Sequence, residues 1–150
     1  MIRYEEFITA EEYMELRRKV GWCEFALEEA QAGIDNAYMV RCARDENKAI
    51  GVVRLLWDGG YIAFLSDVIV DPKYQGQGIG KKLVESIIER VKADMKPGYK
   101  VKICLLAAKG KEPFYEKFGF QKGLMINWEQ EWINGLNLKA RNKRLVCSTD

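Results

Sequence analysis

The period of the apolar positions changes along the chain, and the changes mark out its elements. Residues 2–7 read as a first strand. Thr9-Ala10-Glu11-Glu12 has the form of a capping box, with Thr9 as N-cap and Glu12 reaching back to it. Behind it Tyr13, Leu16 and Val20 recur at helical spacing as far as Gly21. A second helix is predicted over 25–32, stopped by Gly33. The period then shortens. Strands are predicted over 38–43, 49–57 and 61–70, separated by the turns Asp45-Glu46-Asn47 and Asp58-Gly59-Gly60. Tight turns between consecutive strands imply an antiparallel meander.

A strong amphipathic helix follows, with Ile79, Leu83, Val84, Ile87, Ile88, Val91 and Met95 on one stripe and Pro97-Gly98 beyond its end. Residues 101–107 read as a fifth strand whose run Ile103-Cys104-Leu105-Leu106-Ala107 fits burial on both faces. A short helix over 112–118 should stop at Gly119, with a further strand from Phe120. The tail has Trp128, Trp132, Ile133 and Leu136 at near-helical spacing and a basic run, Arg141-Asn142-Lys143-Arg144.

Composition narrows what such a chain does. With 150 residues, 48% hydrophobic and 31% charged, it is expected to fold as a single domain over 1–150 rather than remain disordered. A net charge of +2 gives no reason to expect a nucleic-acid partner. No apolar run reaches the length of a membrane span and no signal-peptide core follows Met1, so a cytoplasmic location and no membrane partner are expected. The four cysteines form no CxxC pair and there is no histidine, so no metal site is expected and a Ser-His or Cys-His nucleophile is excluded.

The chemistry concentrates after Asp71-Pro72. Gly76, Gly78 and Gly80 alternate between a strand and a helix start, with Lys81 and Lys82 beside them. The first N–H groups of a helix lack partners and the dipole is positive there, so this is an anion site. Its spacing is not the GxGxxG of a dinucleotide fold, since Gly78-Ile79-Gly80 breaks it. A P-loop would need glycine at Gln75 and Ser or Thr at Lys82.

Gln75-Gly76-Gln77-Gly78-Ile79-Gly80 matches the [QR]-x-x-G-x-[GA] loop of the GNAT superfamily of acetyltransferases, which the chain resembles here. Asp67-Val68-Ile69-Val70-Asp71-Pro72-Lys73-Tyr74 is similar to the strand and turn before that loop, and Lys81-Lys82-Leu83 to the start of its helix. Phe114-Tyr115-Glu116-Lys117-Phe118-Gly119-Phe120 resembles the family's FYxxxGF segment. Leu16-Arg17-Arg18-Lys19-Val20-Gly21-Trp22, Asp58-Gly59 and Ala107-Ala108-Lys109-Gly110-Lys111 are similar to segments of one bacterial branch.

The resemblance implies an α/β fold, a mixed α+β type whose mostly antiparallel central sheet splays between strands four and five and is flanked by about four helices. It implies acetyl-CoA as cosubstrate, with the pyrophosphate on Gln75, Gly76, Gln77, Gly78, Ile79, Gly80 and Lys81. Pantetheine would lie along Val68, Ile69 and Val70, and one backbone N–H there would polarise the thioester carbonyl. Tyr115, beside Phe114, is implied as general acid to the departing thiolate. Its alternative is a packed aromatic. An asparagine of many relatives is Ala108 here, so Lys109 and Lys111 are either phosphate contacts in its place or solvated surface lysines. Ser66 or Asp67 would take the amine proton, strand alternation allowing only one of them to face the site. Trp22, Glu24, Arg54 and Trp57, with Asp58, are candidates for the acceptor pocket, the two tryptophans being equally open to core packing.

The implied reaction is direct acetyl transfer to a primary amine, taken as a small molecule. A protein amine, or a CoA-binding sensor without catalysis, is the alternative. Beyond Gly123 the chain departs from the family's ending, and a dimer contact or a lid over the acceptor site are the two expectations for 123–150.

Overall fold

The structure, a computed structural model, describes residues 1–121. Five strands, β1 (Ile2–Glu5), β2 (Met39–Asp45), β3 (Lys48–Trp57), β4 (Ile62–Val70) and β5 (Lys102–Leu105), lie side by side in chain order. The first four are antiparallel, and β5 runs parallel to β4, so the sheet is mixed as expected. The helices are α1 (Ala10–Lys19), α2 (Leu27–Asp35), α3 (Ile79–Asp94) and α4 (Glu112–Glu116), with a 3₁₀ turn at Pro72–Tyr74. The chain divides into two compact units, with the boundary between Cys104 and Leu105. None of the helices among the described residues is long and apolar enough to cross a membrane.

In the first unit the two faces of the sheet are covered by different helices. Val52 belongs to the core formed with Tyr13, Met14 and Leu16 of α1 and Ala30 of α2. Its neighbour Gly51 points the other way, where an added Cβ would lie 3.2 Å from Leu83 and 3.3 Å from Ile79 of α3. Glycine at 51 therefore lets α3 approach β3 closely. The stripe of α3 is buried at Ile79, Leu83, Val84, Ile87 and Val91, while Ile88 and Met95 are half-buried at its margin. The capping box of α1 is present in full: Thr9 accepts from the Glu12 N–H, and Glu12 from the Thr9 N–H.

Several boundaries differ from the sequence reading. The first strand stops at Glu5, and Phe7 is exposed on the way to the Thr9 cap. α2 starts at Leu27 and runs through Gly33 to Asp35. That glycine is a point of close approach rather than a stop: the Gly33 carbonyl accepts from Arg54 Nη1 at 2.7 Å, and a Cβ there would lie 2.6 Å from the same nitrogen. β5 is four residues long, and Leu106 is exposed rather than covered. α4 closes at Glu116, with a turn before Gly119, whose φ of 87° suits glycine alone. No strand begins at Phe120 or Gln121. The aromatic stripe and basic run of the tail, and the dimer or lid expected there, lie outside the described residues.

Candidate active site

The register of β3 with β4 is interrupted where chemistry was expected. Arg54 pairs with Ser66 and Val52 with Ile69, so Val53 alone stands opposite both Asp67 and Val68. β4 thus carries a bulge of one extra residue. Asp67 has φ 56°, in the left-handed region that L-residues avoid and that aspartate tolerates better than most. The bulge cancels the alternation assumed from the sequence. Paired residues share a face, so Ser66 lies on the side of Arg54 and Ile69 on the side of Val52, which is the α1 side. Asp67 reaches α1 as well, so Ser66 and Asp67 do not point to opposite faces.

Asp67 is held from three directions. The Tyr13 hydroxyl donates to Oδ2 at 2.5 Å, Arg54 donates to Oδ2 through Nε at 2.8 Å, and Arg17 Nη1 donates to Oδ1 at 3.3 Å. Arg54 Nη2 stands 2.8 Å from Oδ2 as well. Arg17 is buried in a box of aromatic rings, 4.7 Å from the Phe25 centroid, 5.2 Å from Trp22 and 5.7 Å from Tyr13. Its Nε donates to the Cys23 carbonyl. Burial pushes the Tyr13 phenol up to about 12, and the adjoining Asp67 charge and hydrogen bond push the same way, so Tyr13 stays a donor.

Beyond the bulge, β4 leads to the glycine loop through Asp71. Its buried carboxylate accepts from the Lys73 N–H at 3.0 Å and from Lys19 Nζ at 2.9 Å, and its own N–H donates to the Ile50 carbonyl. Gln75 Nε2 donates back to the Val70 carbonyl at 3.0 Å, and the Tyr74 hydroxyl donates to Asp45. The loop between these anchors is exposed from Gln75 to Gly78. Gly76 and Gly78 have φ 78° and 80°, and Gly78 is the N-cap of α3 with no side chain capping it. α1 begins on Thr9 and two glutamates, and α2 has two glutamates in its first turn; the first turn of α3 has no acid. A 16-residue helix thus begins, among the described residues, with no capping side chain and no acid in its first turn, where its leading N–H groups lack intrahelical partners and the dipole is positive. These residues fit a diphosphate. Lys81 stands on this turn, 3.7 Å from Glu85, whereas Lys82 lies over the Tyr4 ring.

The five acceptor candidates do not form one pocket, and Asp58 accepts from the Gly60 N–H in the turn after β3. Trp22 and Arg54 belong to the cluster around Arg17 and Asp67. Trp57 lies three residues from Arg54 in an unbulged stretch, hence on the opposite face, where its ring is 5.1 Å from Tyr38 and its Nε1 donates to the Gly60 carbonyl. Glu24 is exposed and paired with Arg18. The sequence reading placed Tyr13 on the apolar stripe of α1 and Arg17 in a segment similar to one bacterial branch, but assigned neither a role in the site. The available signal was an arginine four residues after a tyrosine, on the buried stripe of α1.

In the second unit Tyr115 is buried within α4, its ring 4.9 Å from Phe114 and 6.2 Å from Phe120, both edge-on. Burial raises its phenol to about 12. Lys109 and Lys111 are exposed, and Lys111 is the residue before α4.

A bulged strand running through a glycine turn into a helix without a side-chain cap is the arrangement of an α/β domain. A family model for the acetyltransferase (GNAT) domain matches residues 35–122, and the chain belongs to that family. It is 33% identical over 123 residues to GCN5-related N-acetyltransferase 2, chloroplastic, of Arabidopsis thaliana, covering 69% of this chain and 46% of that protein. It is also 33% identical over 114 residues to histone acetyltransferase TAP1 of Glycine max, covering 69% and 48%. The chain thus spans about half the length of these curated relatives. Among solved structures, a "Probable Acetyltransferase" of meticillin-resistant Staphylococcus aureus superposes with TM-score 0.76 at 30% identity, covering 83% of this chain and 92% of that one.

Proposed function

We propose that this chain is an acetyl-CoA-dependent N-acetyltransferase acting on a primary amine, and that the amine is a small molecule in the cytoplasm. The observation that carries it is the N-terminus of α3, without a capping side chain or an acid in its first turn, reached from the bulged β4 through the glycine loop. The N–H groups from Gly76 to Lys81 hold the pyrophosphate, Val68 and Val70 offer backbone groups to the pantetheine amides, and a backbone N–H of the bulge receives the thioester oxygen. As N–C forms and C–S breaks, one proton leaves nitrogen and one is gained by sulfur.

Asp67 is a poor acceptor for the amine proton. Its oxygens already take hydrogen bonds from Tyr13, Arg17 and Arg54, so its lone pairs are committed within the chain. The Ser66 hydroxyl with water, or an amine that arrives neutral, is the better route. Tyr115, in the role that the resemblance gives it, is a hydrogen-bond donor to the thiolate. Passing its proton outright from a pKa near 12 to a thiol near 8.5 would cost about 5 kcal/mol.

A relative that acts on histones supports the second reading, a protein amine. A basic tail calls for an acidic surface, and a formal charge of +2 favours the small amine. The experiment is release of CoA from acetyl-CoA across a panel of small amines and of lysine and N-terminal peptides, with controls for the four cysteines of the chain. Turnover confined to peptides overturns the small-amine assignment. Tight CoA binding with no turnover leaves a binding module.

A further inference from the structure

We propose that Asp67 is a positioning residue: its carboxylate, gripped by Arg17, Arg54 and Tyr13, locks residue 67 in the left-handed region and so aims the backbone amides that follow it at the thioester oxygen. The inference rests on the acetyltransferase reading of the same strand.

A one-residue bulge needs one residue with unusual backbone angles, and glycine is the residue that adopts φ near 56° without cost. Here the position is aspartate. The same side chain that makes the angle unfavourable reaches three donors, from α1, from β3 and from a phenol kept protonated by its burial. Among the described residues, the groups facing Asp67 are those two arginines and that tyrosine. They are themselves fixed, Arg17 by the aromatic box and the Cys23 carbonyl, Arg54 by the Gly33 carbonyl. The lock therefore ties the bulge to α1 and α2. A donor displaced by an ångström loses most of its grip on a developing oxyanion, so a lock on this angle is a lock on rate.

Three variants separate this role from a base and from plain stability. Each is assayed for kcat, KM for the amine, Kd for CoA, thermal midpoint and pH profile, beside crystal structures of wild type and variants. Asp67→Ala, with neither carboxylate nor glycine's freedom, is expected to lose kcat by about 30-fold, within the range of a weakened oxyanion donor, while CoA affinity changes by less than about threefold. Asp67→Gly keeps the left-handed angle without the carboxylate and is expected to recover most of that loss in kcat despite a lower thermal midpoint. Asp67→Asn removes any base and is expected to keep the shape of the pH profile, with kcat within about tenfold of wild type. Glycine as slow as alanine, alanine as fast as wild type, or loss of a limb of the pH profile in asparagine overturns the proposal. Should alanine not fold, a glycine variant slower than wild type by about 30-fold, or loss of a limb of the pH profile in asparagine, overturns the proposal instead. The structures judge the lock without turnover: an unchanged bulge with φ near 56° in Asp67→Ala overturns it. A wild type that binds CoA and acetylates nothing overturns the acetyltransferase reading instead.

Discussion

Lys19 Nζ lies 2.9 Å from the carboxylate of Asp71, which joins the last turn of α1 to the strand end from which the glycine loop departs. Burial works to raise the Asp71 carboxyl, but the Lys19 hydrogen bond, the Lys73 N–H and the charges of Lys19 and Lys48 together outweigh it, so its pKa is held below the usual value. A folded pKa below the unfolded one gives stability that is present above the unfolded value and lost as pH falls through the folded value. The wild type should therefore weaken as pH drops below about 4. Asp71→Asn should cost about 2 kcal/mol at pH 7 and flatten that part of the acid dependence. Urea denaturation from pH 2 to 7 measures both, and parallel curves for the two proteins would remove the pair from the account.

A second expectation concerns Gly78. Among the described residues nothing lies within 4 Å of a Cβ built there, so the cost expected of Gly78→Ala is conformational, through φ 80°. That cost is about 1–2 kcal/mol, or roughly tenfold in CoA affinity where the loop must hold this angle to bind. Calorimetric titration should show the loss for CoA and little for pantetheine, which lacks the pyrophosphate. An equal loss for both would mean that the loop does not grip phosphate.

What the sequence disclosed and what it hid follow from range. Element order came from local period, and the open glycine loop before α3 from three glycines beside a helix start, because both signals lie within a few neighbouring residues. The bulge had no such mark, since its left-handed residue is Asp67 rather than glycine. Two of the three partners of Asp67 are 50 and 54 residues away on α1, a distance over which no pattern in one sequence speaks. Gly33 was misread for a related reason. Glycine near a helix end signals a cap, and only the fold reveals that the residue makes room for Arg54. Trp22 and Trp57 could be named together as a pocket until register put Trp57 on the opposite face from Arg54.

Tyr115 gives a third expectation. A phenol raised to about 12 stays neutral throughout the usual assay range, so the wild-type pH profile should show no limb from this group below about pH 11. Tyr115→Phe should lower kcat by about 10- to 100-fold and leave the amine KM near its original value, as for a donor used mainly in the transition state. Steady-state kinetics from pH 6 to 10 tests it. Unchanged kcat in the phenylalanine variant would return Tyr115 to a packed aromatic.

The last expectation is a reversal of sign at Gly33. In a free helix Gly→Ala gains about 1 kcal/mol. In this chain the new Cβ would lie 2.6 Å from Arg54 Nη1, and that arginine cannot easily move, because its Nε and Nη2 are engaged with Asp67. Gly33→Ala alone should therefore destabilise by about 1–2 kcal/mol, since the crowding outweighs the helix gain. In a background of Arg54→Met the long planar head is gone, and the same change should now stabilise by up to about 1 kcal/mol. The double-mutant cycle, measured by urea denaturation, should give a coupling of about 2 kcal/mol. A coupling near zero would mean that Arg54 moves aside freely, and the tie between α2 and Asp67 would then be no constraint on the bulge.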